Sequence, residues 1–284
     1  MGANKRYKDS VFTLLFGEPD KMLELYNALS GTNLPPDTPV VDATLEDALF
    51  MDRCNDLAFV IGDKIVVCLE HQSTINENLP LRLLIYIARV YERIIENKAI
   101  YRTRLIKIPK PEFYVLYNGT EDFPDKKTLR LSDAFKDDVR RGGLLDLEVT
   151  IYNVGAGRNR EIVARSESLN GYAVFTERVR QYHAAGLSLE EAIKKAVDDC
   201  VADGILVDFL NNRSSEVRNM LFTEFKLDDA IEVWREEWFE EGVEKGIYKV
   251  AKNMIALNMP PEQVAAATGL PLNEVVKLSK KEEH

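Results

Sequence analysis

Short apolar runs alternate with amphipathic segments along the first half of the chain. Such a pattern is typical of an α/β sheet with helices packed against it. The predicted strands are residues 40–50, 57–61, 65–69, 113–117 and 146–152. The predicted helices are residues 10–16, 21–29 and 81–96, the last with an apolar side made of Leu81, Leu84, Ile85, Ala88, Tyr91 and Ile95.

From residue 161 onward the pattern becomes mostly helical. Helices are predicted at residues 167–185, 188–202, 203–210 and 214–225, and Ser188 followed by Glu191 is a capping-box signature. Beyond residue 231 a long charged helix precedes two short helices that are separated by proline and glycine signals, an arrangement similar to a helix-turn-helix. Three regions are therefore predicted, at residues 1–155, 156–230 and 231–284.

Length and composition place the chain among globular proteins. Its 284 residues are 45% apolar, which suffices for one large domain or for one domain with an appendage. No run of apolar residues is long enough to span a membrane, and the N-terminus lacks the apolar segment of a signal peptide. We therefore expect a soluble, cytoplasmic protein without a membrane partner.

The stretch from residue 55 to residue 72 combines an apolar hairpin with acidic groups at its open end. If residues 62–64 form the loop, Asp56 lies directly opposite Glu70, and Gln72 points to the same face. Two facing carboxylates repel, so a divalent ion that prefers oxygen ligands, Mg²⁺ or Mn²⁺, is the natural occupant. A slip of one residue in this register would separate the two acids. The alternative is that both are solvated strand ends.

The order of these features resembles a known nuclease family. Asp56, two strands and then Glu70-His71-Gln72 are similar to the PD-(D/E)xK nuclease core, in the branch that has E-x-Q in place of E-x-K. Further agreement comes from the stretches YKDSVFTLLFG, LRLLIYIARVYERII, FYVLYNG and VAKNMIALNMPPEQVAAATGLPLNEVVKL. Together they resemble the recombination-promoting nuclease and putative transposase family. The resemblance implies an α/β fold with a restriction-endonuclease-like mixed sheet core flanked by helices and a helical C-terminal extension.

The resemblance also implies roles for individual residues. Asp56, Glu70 and the backbone carbonyl of His71 would hold Mg²⁺, and Gln72 would replace the usual catalytic lysine. Asp9, from the first helix, would add a further acid, although its position also fits the cap of that helix. The implied function is a metal-dependent DNA endonuclease linked to recombination or transposition. The alternative is a catalytically weak relative that binds DNA or a protein partner.

The charge distribution bears on DNA binding. The formal net charge is −10, which disfavours a nucleic-acid partner, but the stretch from residue 82 to residue 110 is locally basic. The predicted DNA contacts are Arg82, Arg89, Arg93, Lys98, Arg102 and Arg104, with a solvated helix face as the alternative. The last helix offers few cations to a DNA groove, so docking or homo-oligomerisation through the C-terminal helices is an equally good prediction for the tail.

Overall fold

The computed structural model describes residues 10–45, 55–71, 76–96, 99–119, 122–136, 145–155 and 157–281. Its strands are β1 (Val40–Asp42), β2 (Asn55–Ile61), β3 (Lys64–His71), β4 (Lys110–Tyr117), β5 (Lys126–Arg130) and β6 (Glu148–Asn153). Its helices are α1 (Val11–Phe16), α2 (Pro19–Ser30), α3 (Leu79–Ile94), α4 (Arg160–Val163), α5 (Glu167–Ala184), α6 (Leu189–Ala202), α7 (Val207–Ala256), α8 (Pro261–Thr268) and α9 (Leu272–Lys281). The chain divides into two compact units, residues 1–225 and residues 226–284.

The strands form one six-stranded mixed sheet in the order β1-β2-β3-β4-β6-β5. The first three strands pair antiparallel, β3, β4 and β6 run parallel, and β5 pairs antiparallel with β6. The predicted α/β class, with a mixed sheet flanked by helices, is therefore confirmed. Strand β5 was not predicted.

Both faces of the sheet are buried, which explains why β3 is a continuous apolar run. Val66 and Cys68 of β3 face a core that includes Phe12, Phe16 and Tyr172 from the helices of one layer. Ile65, Val67 and Leu69 of β3 face a second core, formed mainly with α3 and the strands β4 and β6. The sheet is thus the middle layer of the first unit, and its strand ends are the places where polar side chains can gather.

Helix α3 packs against the sheet through a different side from the predicted one. Leu83, Ile87 and Val90 are buried, whereas Leu81, which was assigned to the apolar side, is exposed. The helix is apolar on more than one side, so helical spacing alone allows two competing stripes. It also begins two residues earlier than predicted, because Pro80 occupies its first turn, where proline is tolerated.

The second unit contains the predicted pair of short helices. Helix α8 ends at Gly269, whose φ of 75° is a left-handed conformation that glycine adopts readily. Ala251, Val264 and Val275 form a small core that joins α8 and α9 to the last turns of α7. Oligomerisation through these helices stays a prediction.

Within the described residues, no helix is long and apolar enough to cross a membrane. Helix α7 is interrupted at Arg213, where φ is −126° and the backbone is not helical, and the sequence predicted a break at this point.

Candidate functional site

Polar residues gather at one end of the sheet. The parallel strands β3, β4 and β6 all end there, and the antiparallel strand β2 begins there. Asp56 at the start of β2, Asn118 after β4 and Asn153 at the end of β6 are all buried. Ligands of α/β proteins bind outside the carboxyl ends of parallel strands, so this end of the sheet is the natural place for a functional site.

The register of the β2–β3 hairpin differs by one residue from the predicted register. Ile61 pairs with Lys64, so the turn consists of two residues, Gly62 and Asp63, and not of three. Gly62 has a φ of 59°, as two-residue hairpin turns require. Asp56 therefore lies opposite Leu69, and Glu70 lies opposite Asn55. The prediction that Asp56 and Glu70 are directly opposed is wrong, and strand pairing no longer supports their sharing a face.

Asp56 itself is enclosed by protein. Its exposure is 5%, and its carboxylate is hydrogen-bonded to the hydroxyl of Tyr86 on α3. The pKa of Tyr86 is raised, first by burial and then by the negative charge of Asp56. The hydroxyl of Tyr86 also accepts a hydrogen bond of 3.3 Å from the backbone nitrogen of Leu45. The carboxylate of Asp56 is thus held in a fixed orientation at the end of the sheet where β3, β4 and β6 terminate.

The donor set suits a hard cation in part. Mg²⁺ and Mn²⁺ take carboxylate and carbonyl oxygens, and Asp56 supplies a carboxylate near the end of β3, where the backbone of His71 pairs with Tyr117. The part of the chain that the structure describes contains no group of three or more metal-binding side chains. The described contribution to a metal site is therefore one carboxylate and the backbone at the strand end.

Three predicted site residues, Asp9, Gln72 and Lys98, lie outside the described residues. The capping role considered for Asp9 belongs to its neighbour Ser10. The Oγ atom of Ser10 accepts a 3.0 Å hydrogen bond from the backbone nitrogen of Thr13, and the Thr13 hydroxyl accepts one of 2.9 Å from the backbone nitrogen of Ser10. A serine can cap a helix as well as an aspartate can, so the sequence did not distinguish the two positions.

The predicted DNA-binding arginines follow α3 and the segment after it. Arg82, Arg89 and Arg93 lie on α3, and Arg93 donates a 2.8 Å hydrogen bond to the carbonyl of Thr44. A second group, Arg102 and Arg104, comes after the helix and is exposed. Arg102 forms an ion pair of 3.2 Å with Glu96, in which both side chains are more than half exposed. Exposed pairs of this kind contribute about 0–1 kcal/mol, so they give way easily to a phosphate.

The two tyrosines of α3 pack inside the fold and do not form a stacking platform. Tyr86 is buried, and the hydroxyl of Tyr91 donates a 2.7 Å hydrogen bond to the carbonyl of Pro109. Both side chains therefore contribute to the packing of α3 against the core.

A basic pocket beside the end of β6 was missed by sequence reasoning. Its volume is about 480 Å³, and its walls include Arg158, Arg160, Arg178 and one acid, Glu177. Arg158 pairs with the exposed Asp122 and Asp125 at 3.3 Å, and Arg178 pairs with Asp203 at 2.6 Å. The sequence signal was the glycine-rich, basic stretch GAGRNR, which begins at Gly155 shortly after the predicted strand at residues 146–152. Guanidinium groups in such a pocket can bind phosphate oxygens.

A neighbouring network fixes the end of β4 to α5. The Nη1 atom of Arg180 donates to the Oδ1 atom of Asn118 at 3.1 Å, and the Nδ2 atom of Asn118 donates to the Thr176 hydroxyl at 3.2 Å. Because Asn118 and Thr176 are both buried, this network fixes the first residue after β4 at the polar end of the sheet.

The region that contains these features matches a known family. Residues 46–198, more than half of the chain, match the model of the family described as putative transposase, YhgA-like. The chain belongs to this YhgA-like family. The membership indicates a role connected with transposition and places the protein among those that act on nucleic acid. Searches of curated proteins and of solved structures gave no significant match.

Proposed function

We propose that this YhgA-like protein is a magnesium-dependent DNA endonuclease whose metal site lies at the Asp56 end of the β2–β3 hairpin. The observation that carries the proposal is the buried carboxylate of Asp56. It is oriented by Tyr86 at the end of the sheet where β3, β4 and β6 terminate. Burying a charged carboxylate lowers the stability of the folded state, and buried acids of this kind are commonly found in active sites. The family membership supplies the link to DNA.

The arrangement of elements supports a PD-(D/E)xK nuclease core. Two helices, a three-stranded meander, a further helix and a parallel strand follow one another as α1 and α2, β1 to β3, α3 and β4. In this proposal Asp56, Glu70 and the backbone carbonyl of His71 hold the ion, and Asp9 adds a carboxylate. When bound, Mg²⁺ supplies Lewis-acid polarisation of a phosphate oxygen and lowers the pKa of a coordinated water.

The chain's own residues would then bind and orient the substrate. Gln72 would position the water or the phosphate by hydrogen bonding, but an amide cannot neutralise developing charge as an ammonium can. Arg158 and Arg160, in the walls of the pocket at the same end of the sheet, would bind phosphates of the DNA backbone. Arg82, Arg89, Arg93, Lys98, Arg102 and Arg104 would extend the contact away from the site.

The direct test is cleavage of supercoiled plasmid with and without Mg²⁺ or Mn²⁺. Wild-type protein should nick the plasmid only with metal, and Asp56→Ala or Glu70→Ala should abolish nicking while the protein remains folded by circular dichroism. Asp63→Asn is the matched control, because Asp63 is an exposed acid in the turn at the other end of the same hairpin. Nicking by Asp56→Ala at the wild-type rate would remove the metal-site assignment.

One observation favours a second candidate function. The pairing of Asp56 with Leu69 removes the geometric reason for a shared metal between Asp56 and Glu70. A protein that binds DNA through this fold without cutting it would agree with that register. Metal-independent DNA binding together with no cleavage in either metal would identify this candidate.

A further inference from the structure

The segment from residue 99 to residue 110, between α3 and β4, is exposed and combines apolar with basic side chains. Four large apolar residues stand exposed within it: Ile100, Tyr101, Leu105 and Ile108. Tyr101 is 84% exposed and Leu105 is 77% exposed, so neither is used to build the core. The same segment carries Arg102, Arg104, Lys107 and Lys110 and contains no acid. We call it the basic apolar segment.

The basic apolar segment lies at the far end of the sheet from the candidate metal site. Lys110, its last residue, pairs with Lys64 next to the hairpin turn, whereas Asp56 pairs with Leu69. Five residues of β3 separate these two levels, which corresponds to roughly 17 Å along the strand. The segment therefore does not line the metal site, and its exposed side chains need a different explanation.

The segment is anchored at its C-terminal end, next to β4. The hydroxyl of Tyr91 donates to the carbonyl of Pro109 at 2.7 Å, and β4 begins directly afterwards. A short 3₁₀ turn at Ala99–Tyr101 presents Tyr101 to solvent. The contact at Pro109 fixes the C-terminal end of the segment, while the aromatic ring of Tyr101 and two cations, Arg104 and Lys107, are exposed.

The charge of the segment determines which partner fits it. Four cations without an acid, in a chain with a formal net charge of −10, form a local positive surface. Contact between the same segments of two copies would bring like charges together, which is unfavourable. A polyanion is favoured instead. The phosphate backbone of a duplex would neutralise the cations but would leave Tyr101 and Leu105 in water. Unpaired bases satisfy both groups, because every base offers a face for stacking.

We propose that the basic apolar segment binds single-stranded DNA, with Tyr101 stacking on an unpaired base and Arg104 and Lys107 contacting the flanking phosphates. The proposal deepens the DNA-directed function proposed above and rests on it, but it does not depend on metal chemistry. A second contact of this kind, away from the cutting site, would direct the protein to DNA that contains unpaired strands.

The test is fluorescence anisotropy with a labelled single-stranded oligonucleotide and a matched duplex, with EDTA present so that cleavage plays no part. Wild-type protein should bind the single strand more tightly than the duplex. Tyr101→Ala should weaken single-strand binding by about 5- to 150-fold, the effect expected from losing one stacked base, whereas Tyr101→Phe should retain it. Arg104→Ala should reduce the slope of log K against log salt by about 0.7. Leu257→Ala is the matched control, since Leu257 is also 75% exposed but lies in the second unit.

Three results would overturn the proposal. The first is single-strand binding by Tyr101→Ala at the wild-type affinity. The second is Tyr101-dependent binding to vesicles of anionic lipid without binding to the oligonucleotide, which would identify a membrane surface. The third is Tyr101-dependent self-association in analytical ultracentrifugation without oligonucleotide binding, which would identify a second copy as the partner.

The same assay separates this proposal from the endonuclease proposal. Tyr101→Ala is measured both for single-strand binding in EDTA and for metal-dependent plasmid cleavage, because the segment joins β4 at the other end of the sheet from Asp56. If no metal supports cleavage but Tyr101→Ala still loses single-strand binding, the endonuclease proposal fails and the binding proposal stands. If cleavage is normal and Tyr101→Ala binds normally, the reverse holds.

Discussion

Replacing Asp56 with asparagine should remove the thermal stabilisation of the protein by Mg²⁺. A ligand that binds only the folded state stabilises it by RT ln(1 + [L]/Kd), which is about 1.4 kcal/mol when the metal is at ten times its Kd. In a unit of 225 residues each kcal/mol raises the midpoint of thermal unfolding by about 2–4 °C. Wild-type protein should therefore gain about 3–6 °C, and Asp56→Asn should gain much less.

The asparagine variant is suited to this test because it preserves the shape of the site. Its amide oxygen can still accept the hydrogen bond from Tyr86, so the contact between β2 and α3 survives. In EDTA the variant should be at least as stable as wild type, because it no longer encloses a negative charge at a position that is 5% exposed. A loss of the Mg²⁺ effect then reports on metal binding and not on a damaged fold.

The assay is differential scanning fluorimetry in EDTA and over a series of Mg²⁺ concentrations. An acidic protein with a formal net charge of −10 binds Mg²⁺ weakly at many surface acids, so Asp63→Asn serves as the control for this background. The control should keep the full shift. An equal Mg²⁺ shift in wild type and Asp56→Asn would show that Asp56 does not bind the ion and would refute the reasoning.

Three further predictions concern the chemistry and the packing of the first unit. Gln72→Lys should change the rate of plasmid cleavage if Gln72 acts in the reaction, and equal rates for wild type, Gln72→Lys and Gln72→Ala would exclude a catalytic role. Gly171→Ala should lower the free energy of unfolding in urea by about 1–3 kcal/mol, because the new Cβ atom would lie 2.7 Å from the Cγ atom of Leu206; an unchanged midpoint would contradict this close packing. Burial raises the pKa of Glu24, but hydrogen bonds from the backbone and hydroxyl of Ser168 and from the hydroxyl of Ser166 lower it overall. The contribution of Glu24 to the stability of the fold should therefore be present above pH 4.5 and be lost as the pH falls through the lowered pKa. Glu24→Gln should flatten this acid limb of the stability curve, measured by urea unfolding at several pH values, and an unchanged limb would refute the assignment.

Apart from β1, whose three residues are exposed or half-buried, the strands that the sequence predicted are those in which several apolar side chains are buried. Strand β5 was missed because Leu129 is the buried member of its sequence KKTLR, whose other residues are exposed or half-buried at the edge of the sheet. An edge strand of this kind owes its conformation to pairing with β6, a contact that is made between residues far apart in sequence. Local pattern carries little information about such a strand.

The candidate site was predicted in its location but not in its detail. The sequence placed Asp56 at the open end of a hairpin, and in the structure it is the second residue of β2 and is buried. Nothing in the sequence pattern linked Asp56 to Tyr86, the partner of its carboxylate. That link depends on which side of α3 faces the sheet, and the apolar pattern of this helix did not decide the side.

The hairpin register shows why a one-residue error arose and what it changes. The sequence Gly62-Asp63-Lys64 permits a turn of two or three residues, and lysine is depleted in strands. Lys64 instead belongs to β3, where its ammonium group forms a 2.7 Å ion pair with Glu112 on the neighbouring strand β4.

The carboxylate of Glu112 also accepts hydrogen bonds from the hydroxyls of Tyr26 and Tyr114, at 3.0 and 3.1 Å, so it is firmly held. A contact across 48 residues of sequence therefore accompanies the assignment of Lys64 to the strand, and local pattern could not reveal it. Because strand pairing propagates along the ladder, the register at Lys64 also determines that Leu69 lies opposite Asp56 at the other end. Any metal site shared by Asp56 and Glu70 must consequently be built by the ends of the strands and not by direct cross-strand opposition.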